Sequence, residues 1–227
     1  MLNYLNCIET GAVLPMDKPY GWSSFDVLRY VQRQITQRSG IKGFKIGHAG
    51  TLDPLATGVL LLCLGKATRQ AQTLQDERKE YLATICLGAT TPSFDLETEP
   101  DSIAPYEHIT QAQAEAVLQQ QVGEQEQMPP NFSAKNVNGQ RAYQLARKGQ
   151  EVILKPSAIH IYSVELLRFD LPYLVVRIAC SKGTYIRAFA RDVGRLLDCG
   201  AHLAHLRRTA VGSYTERELC TIDQIFE

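Results

Sequence analysis

Gly47-His48-Ala49-Gly50-Thr51-Leu52-Asp53-Pro54-Leu55-Ala56-Thr57-Gly58-Val59-Leu60-Leu61-Leu62-Cys63-Leu64 is the stretch whose reading organises the rest of the chain. Its first half combines glycines, a histidine and a proline, which suit neither a helix interior nor a central strand, so it reads as a shaped loop. From Val59 to Leu64 the residues are all apolar, and a short run of this kind between Gly58 and Gly65 fits a fully buried strand. Asp53 is thereby placed on a turn anchored by a core strand, where a carboxylate can be held in one geometry. An Asp-Pro pair by itself only starts a turn, so a chemical role for Asp53 needs support from the rest of the chain.

Outward from this stretch, the N-terminal residues to Ala12 lack periodicity and read as an arm, and Val13–Met16 as a brief strand closed by a turn through Gly21. Ser23 with Asp26 three positions on forms a capping-box pattern, and Val27, Leu28, Val31 and Ile35 follow at helical spacing. Ser39-Gly40 stops that helix, and 41–51 reads as a basic loop. Lys66–Lys79 reads as a helix, Glu80–Leu87 as a strand headed by Tyr81, and Thr90–Pro105 as an acidic surface loop. Thr110 caps a helix to about Gln121, an irregular stretch begins at Met128, and Asn138-Gly139 marks a turn before a short helix from Arg141 to Lys148 closed by Gly149. Ala158–Phe169 and Leu174–Ser181 read as paired strands. Thr184–Asp198 is an amphipathic helix with Tyr185 and Arg187 just inside its start, and Leu203–Tyr214 a last strand before a final short helix. Helices and hairpins interleave without strict βαβ alternation, which predicts an α+β fold with a mixed, mainly antiparallel sheet flanked by helices, in one domain over 1–227.

At 227 residues with zero formal net charge the composition is that of an ordinary globular protein. No apolar run approaches the about 18 residues of a membrane span, and no secretory leader pattern opens the chain. A cytoplasmic protein without membrane contact is expected. The six cysteines are scattered without a C-x-x-C pair, as buried small side chains in a reducing compartment would be. The zero sum hides a polar distribution: five basic residues and no acid lie between Arg29 and Lys45, and nine acids without Lys or Arg between Glu80 and Ala134. Metal chemistry is poorly supported, since His202 and His205 fall on opposite faces of a strand and no thiolate or carboxylate cluster completes a ligand set. Phosphate-binding, dinucleotide and nucleophile-elbow patterns are absent. What remains is a carboxylate enzyme needing neither metal nor cofactor.

The Gly47–Leu64 string resembles the catalytic-aspartate motif of the TruB family of tRNA pseudouridine synthases. The resemblance extends through Leu14-Pro15-Met16-Asp17-Lys18-Pro19, Lys79-Glu80-Tyr81, Pro129-Pro130-Asn131-Phe132-Ser133-Ala134, Val137 to Tyr143, Cys180 to Arg187, and Gly200-Ala201-His202-Leu203 with Leu206-Arg207-Arg208, in order and in spacing. It implies the pseudouridine-synthase fold with a central active-site cleft, and isomerisation of the T-loop uridine at position 55 of tRNA. It implies further that Asp53 is the catalytic aspartate, Tyr81 the tyrosine stacked on the target base, and Arg187 the arginine paired with the aspartate. His48, Tyr185 and Leu206 match substrate-contacting positions. The basic segment around 38–47 overlaps the family's RNA-gripping insertion, so Arg33, Lys42 and Lys45 are candidate contacts to the tRNA T-stem-loop. Ser133-Ala134-Lys135-Asn136 stands where the family has Ser-Ala-Ile-Lys, with a lysine displaced by one position. A monomer ending without the PUA-type RNA-binding domain of many relatives is expected. The alternatives are a non-catalytic RNA-binding or tRNA-folding protein, and a synthase with another RNA target.

Overall fold

The computed structural model describes residues 4–224 except 134, 138, 147–149 and 151–153. In chain order the elements are α1 (Tyr4–Thr10), β1 (Ala12–Lys18), α2 (Ser24–Ser39), β2 (Ile46–Ala49), β3 (Ala56–Leu64), a 3-10 turn over Gly65–Gln70, α3 (Ala71–Asp76), β4 (Lys79–Leu87), β5 (Ala89–Thr90) and β6 (Ser102–Ile103). They continue with α4 (Gln111–Gln120), β7 (Gly123–Gln127), β8 (Asn136–Val137), β9 (Gln140–Arg141), α5 (Ala142–Ala146), β10 (Ser157–Asp170), β11 (Tyr173–Cys180), α6 (Ile186–Leu196), β12 (Ala201–Val211) and β13 (Tyr214–Thr215). The chain forms two compact units, 1–81 with 206–227, and 82–205. Strands β4 and β12 carry the chain from one to the other.

In the first unit β3 is the central strand. β1 runs antiparallel along one edge, from Ala12 opposite Leu64 to Lys18 opposite Gly58. The other edge is shared: Leu206–Arg208 of β12 lie parallel to Ala56–Gly58, and β2 is antiparallel to Leu61–Leu64. A strand with neighbours on both edges tolerates an unbroken apolar run, and Val59 through Leu64 are all fully buried. Ala49, Val59, Leu61 and Val211 form a core cluster joining β2, β3 and β12. Burying a side chain of Val or Leu size contributes about 1.5–3 kcal/mol, so the strand behind Asp53 is rigid by packing. Gly58 is required where β3 and β12 touch: its φ is +93°, and a Cβ there would lie 2.2 Å from the Arg208 carbonyl oxygen. Helix α2 begins at the predicted capping box, with the Ser23 and Asp26 side chains each bonded to the other's backbone amide, and ends at Gly40.

In the second unit β4, β11, β10 and β7 are neighbours in that order, and β10 and β11 form the predicted antiparallel hairpin. Thr110 caps α4 through a capping box with Gln113. β1 with β3, β2 with β3, β10 with β11, β10 with β7 and β12 with β13 are antiparallel, and β3 with β12 is parallel, as are two isolated bridges. This is the mixed, mainly antiparallel α+β arrangement that the sequence predicts.

Several boundaries differ, each for a physical reason. The N-terminal arm contains a short helix, α1, whose backbone packs directly on the 3-10 turn: a Cβ on Gly65 would meet the Ile8 carbonyl oxygen at 1.9 Å. A seven-residue helix held by backbone proximity leaves no periodic signature. The basic loop 41–51 includes β2, stabilised by pairing with β3 and not by its own composition. The Lys66–Lys79 helix resolves into the 3-10 turn, α3 and the first residue of β4. β7, Gly-Glu-Gln-Glu-Gln, is too polar to signal a strand, yet it pairs with β10 at the end of the strand order. The Thr90–Pro105 segment is not merely a surface loop, because Thr91, Ser93 and Asp95 are buried. The closing of the short helix at Lys148-Gly149 and the turn residue Asn138 lie outside the described residues.

Candidate active site

The Asp53 turn leaves β2, passes residues 50–55 and enters β3. Its alternate carbonyls are tied from three directions. Arg208, which is fully buried, donates from Nη2 to the Gly50 carbonyl at 2.9 Å and from Nε to the Val59 carbonyl at 2.7 Å. Ser24, in the first turn of α2, accepts the Leu52 amide at 2.8 Å and donates to the Leu52 carbonyl at 3.1 Å. Lys18 donates from Nζ to the Pro54 carbonyl at 3.1 Å and to those of Pro19 and Trp22, while the Gly21 amide reaches Pro54 at 2.9 Å. With 50, 52 and 54 fixed, the half-buried Asp53 is presented from a turn whose backbone has no slack. At the start of β3, Asp17 accepts from both Nη atoms of Arg207, at 3.0 and 2.9 Å, and from the Gly58 amide, locking β1, β3 and β12 together.

The electrostatics follow from this burial. Burial, with a smaller push from Arg208, outweighs the opposing negative charge of Asp53 and lowers Lys18 to a pKa of about 8. His48, which the structure places in β2 instead of a loop, is also pushed down, first by burial and then by Arg208. Its Nδ1 is buried without a hydrogen-bond partner among the described residues. Leu206 pairs in register with Ala56, which brings it beside the Asp53 turn. Tyr81 is buried in β4, next to Glu80, which accepts a hydrogen bond from Thr209 at 2.9 Å. Arg33, Lys42 and Lys45 are all exposed in this unit, as Arg29 and Arg38 are.

In the second unit, Tyr185 is the N-cap residue of α6 and Arg187 its second residue. Arg187 is not a solvated arginine: only 3% of it is accessible. Its guanidinium donates from Nη1 to the Ser93 carbonyl at 3.1 Å and from Nη2 to the Phe132 carbonyl at 2.9 Å, and its Nε lies 3.5 Å from the Asp95 carboxylate. The Asp95 backbone carbonyl in turn accepts from Thr91 and Ser93, and its carboxylate accepts the Glu97 amide. Lys135 donates to the Ser157 hydroxyl.

Sequence reasoning did not assign Asp95, Ser24 or Arg208 a role. The first lies in a stretch whose acidity suggests solvent. The other two act on backbone atoms, which leave no pattern. His202 and His205 do lie on opposite faces of β12, His202 buried against the Ala89 carbonyl and His205 exposed. Among the described residues no group of three or more His, Cys, Asp or Glu could hold a metal ion, and no helix is long and apolar enough to cross a membrane.

The solved structure of a Cbf5–Nop10–Gar1 complex matches this chain with a TM-score of 0.73 at 27% identity, covering 99% of this chain and 57% of that one. The archaeal box H/ACA sRNP Nop10–Cbf5 complex matches with a TM-score of 0.67 at 27% identity, covering 96% and 53%. The chain thus spans little more than half of those solved chains, and the fold it shares with them is that of the pseudouridine synthases. A protein from Bacteroides fragilis called tRNA pseudouridine synthase B is 55% identical over 204 residues, 90% of this chain and 88% of that protein. Its counterpart from Phocaeicola vulgatus is 51% identical over 219 residues, 96% and 93%. The model of the TruB family pseudouridylate synthase N-terminal domain matches residues 33–186, and that of the tRNA pseudouridylate synthase B C-terminal domain matches 187–227. The chain belongs to the TruB family, whose members are isomerases.

Proposed function

We propose that this protein isomerises the T-loop uridine at position 55 of tRNA to pseudouridine, with Asp53 as the catalytic carboxylate. The substrate class comes from relatives called tRNA pseudouridine synthase B over nearly their whole length. The observation that carries the role of Asp53 is the tethering of its turn at the Gly50, Leu52 and Pro54 carbonyls by the donors Arg208, Ser24 and Lys18, all buried. Such an arrangement costs the fold buried polar groups and serves to hold one side chain still.

The reaction breaks the N1–C1′ bond, turns the base and joins C5 to C1′. No atom is gained or lost, so the chain's own groups suffice. A carboxylate held at the anomeric centre can attack C1′, take the C2′ proton on the way to a glycal, or add at C6, and each route needs the same fixed anion. Arg187, backed by Asp95, is the cationic partner of the site in this reading. Tyr81 supplies an aromatic face that offsets unstacking of the target base by roughly 1–3 kcal/mol. His48, Tyr185 and Leu206 contact the substrate. The exposed Arg33, Lys42 and Lys45 supply salt-dependent contacts to phosphates of the T-stem-loop.

The test compares wild type with Asp53→Asn for tritium release from [5-³H]uridine-labelled tRNA and for tRNA affinity. The expected outcome is loss of release with nearly unchanged affinity. Release by Asp53→Asn near the wild-type rate removes the aspartate from the mechanism and favours a different catalytic group. Absence of release by wild type with binding intact favours an RNA-binding role.

A further inference from the structure

Gln127 closes β7 with its side chain buried to 4% exposure, and its carboxamide faces a single residue of α6. Oε1 accepts the Tyr185 amide at 2.8 Å, and Nε2 donates to the Tyr185 carbonyl at 3.1 Å. Tyr185 occupies the N-cap position of α6, where a side chain of Ser, Thr, Asp or Asn usually caps the helix, and its own side chain makes no such bond. The same carbonyl also accepts the Phe189 amide at 3.0 Å. Both backbone polar atoms of Tyr185 are therefore fixed, which sets the direction of its Cα–Cβ bond.

The grip is itself anchored. Gln127 pairs in register with Ser157 of β10, so its backbone is held by the sheet. The segment that follows is stitched to the same helix, with Arg191 donating to the Met128 carbonyl at 3.3 Å and Arg187 to the Phe132 carbonyl at 2.9 Å. Helix packing alone would be served by an apolar side chain at 127 without the desolvation cost of a buried amide. A two-point polar grip adds directional control, because two bonds to one residue define an orientation that apolar contact leaves loose.

We propose that Gln127 is a positioning residue of uridine isomerisation, acting through Tyr185 by fixing its backbone at the start of α6. The proposal rests on the reading of Tyr185 as a substrate-contacting residue. A small displacement of a group that orients a reacting substrate lowers the rate by up to about 100-fold without a matching loss of affinity.

The experiment measures single-turnover isomerisation of a tRNA transcript, tRNA affinity by filter binding and the thermal midpoint, for wild type, Gln127→Met, Tyr185→Ala and the double variant. Gln127→Met is expected to lower the rate by about 10- to 100-fold with affinity within about 3-fold of wild type. The double variant is expected to be no slower than Tyr185→Ala, since Gln127 acts through Tyr185. Gln127→Glu keeps the acceptor and the shape of the side chain and guards against a fold that does not tolerate methionine. Its rate relative to wild type should recover as pH falls from about 8 to about 5.5, where a buried acid takes up a proton and its O–H replaces the lost donor. Tyr185→Ala impaired beside Gln127→Met at wild-type rate overturns the positioning role, as do multiplicative losses in the double variant or a Glu variant whose ratio ignores pH. Tyr185→Ala at wild-type rate overturns it by removing the reading of Tyr185 on which it rests.

Discussion

Replacing Arg208 by Met keeps about the volume of the buried side chain while removing its tie to the Asp53 turn at Gly50 and its tie to β3 at Val59. The guanidinium makes two hydrogen bonds, to Val59 at 2.7 Å and Gly50 at 2.9 Å, both to backbone carbonyls. Bonds from a charged donor contribute about 1.5–3 kcal/mol each, or about 3–6 kcal/mol together. Removing the charge also relieves its desolvation, which leaves a net loss of about 2–4 kcal/mol. For a chain of this size each kcal/mol moves the thermal midpoint by about 2–4 °C, so a fall of roughly 5–15 °C is expected. Circular dichroism against temperature and urea measures it. At 25 °C, where the variant is still folded, the Gly50 carbonyl is released and the single-turnover rate falls with it. Arg208→Lys should lose at least half as much stability, because one ammonium on a flexible stem does not reproduce a planar fork. A midpoint within about 2 °C of wild type for Arg208→Met, with an unchanged rate, would refute the idea that this buried cation holds the turn.

Ser24→Ala leaves the Leu52 amide and carbonyl without their shared partner and is expected to cost about 1–3 kcal/mol by urea unfolding, with a slower isomerisation rate. His48 has its folded pKa below its ordinary value of 6.5, so the unfolded chain binds that proton more readily. The resulting stability is present above about pH 6.5 and is lost as pH falls toward the folded value; His48→Gln should flatten the decline of the thermal midpoint between pH 7 and 5. Asp95→Asn takes the carboxylate from a buried arginine, and single-turnover kinetics beside a melting curve should show both a loss of stability of about 3–5 kcal/mol and a slower reaction.

The elements written in side-chain periodicity or capping chemistry were legible from the sequence: the Ser23–Asp26 start of α2, the buried run of β3, the β10–β11 hairpin and the apolar face of α6. Those made by pairing or by backbone proximity were not. β2 and β7 are strands because β3 and β10 present unpaired edges to them, and α1 is placed by glycine-permitted contact with the turn after β3. Asp53, Leu206 and Arg187 were singled out as candidates through the family resemblance. Their supports, Ser24, Arg208, Asp95 and Gln127, bond to backbone or to a residue distant in sequence, and such bonds carry no local spacing rule. Arg187 illustrates the limit: from sequence a lone arginine suggests solvent, and only the fold reveals it enclosed by the Ser93 and Phe132 carbonyls.

The proposed activity has two parts: pseudouridine is made at one place in the tRNA T-loop, and Asp53 is required. Carbodiimide-dependent primer-extension mapping of unmodified tRNA, after incubation with wild type or Asp53→Asn, tests both parts in one gel. The expected result is a single stop reporting pseudouridine at the T-loop uridine with wild type and none with the variant. A stop elsewhere, or the same stop with Asp53→Asn, would contradict it.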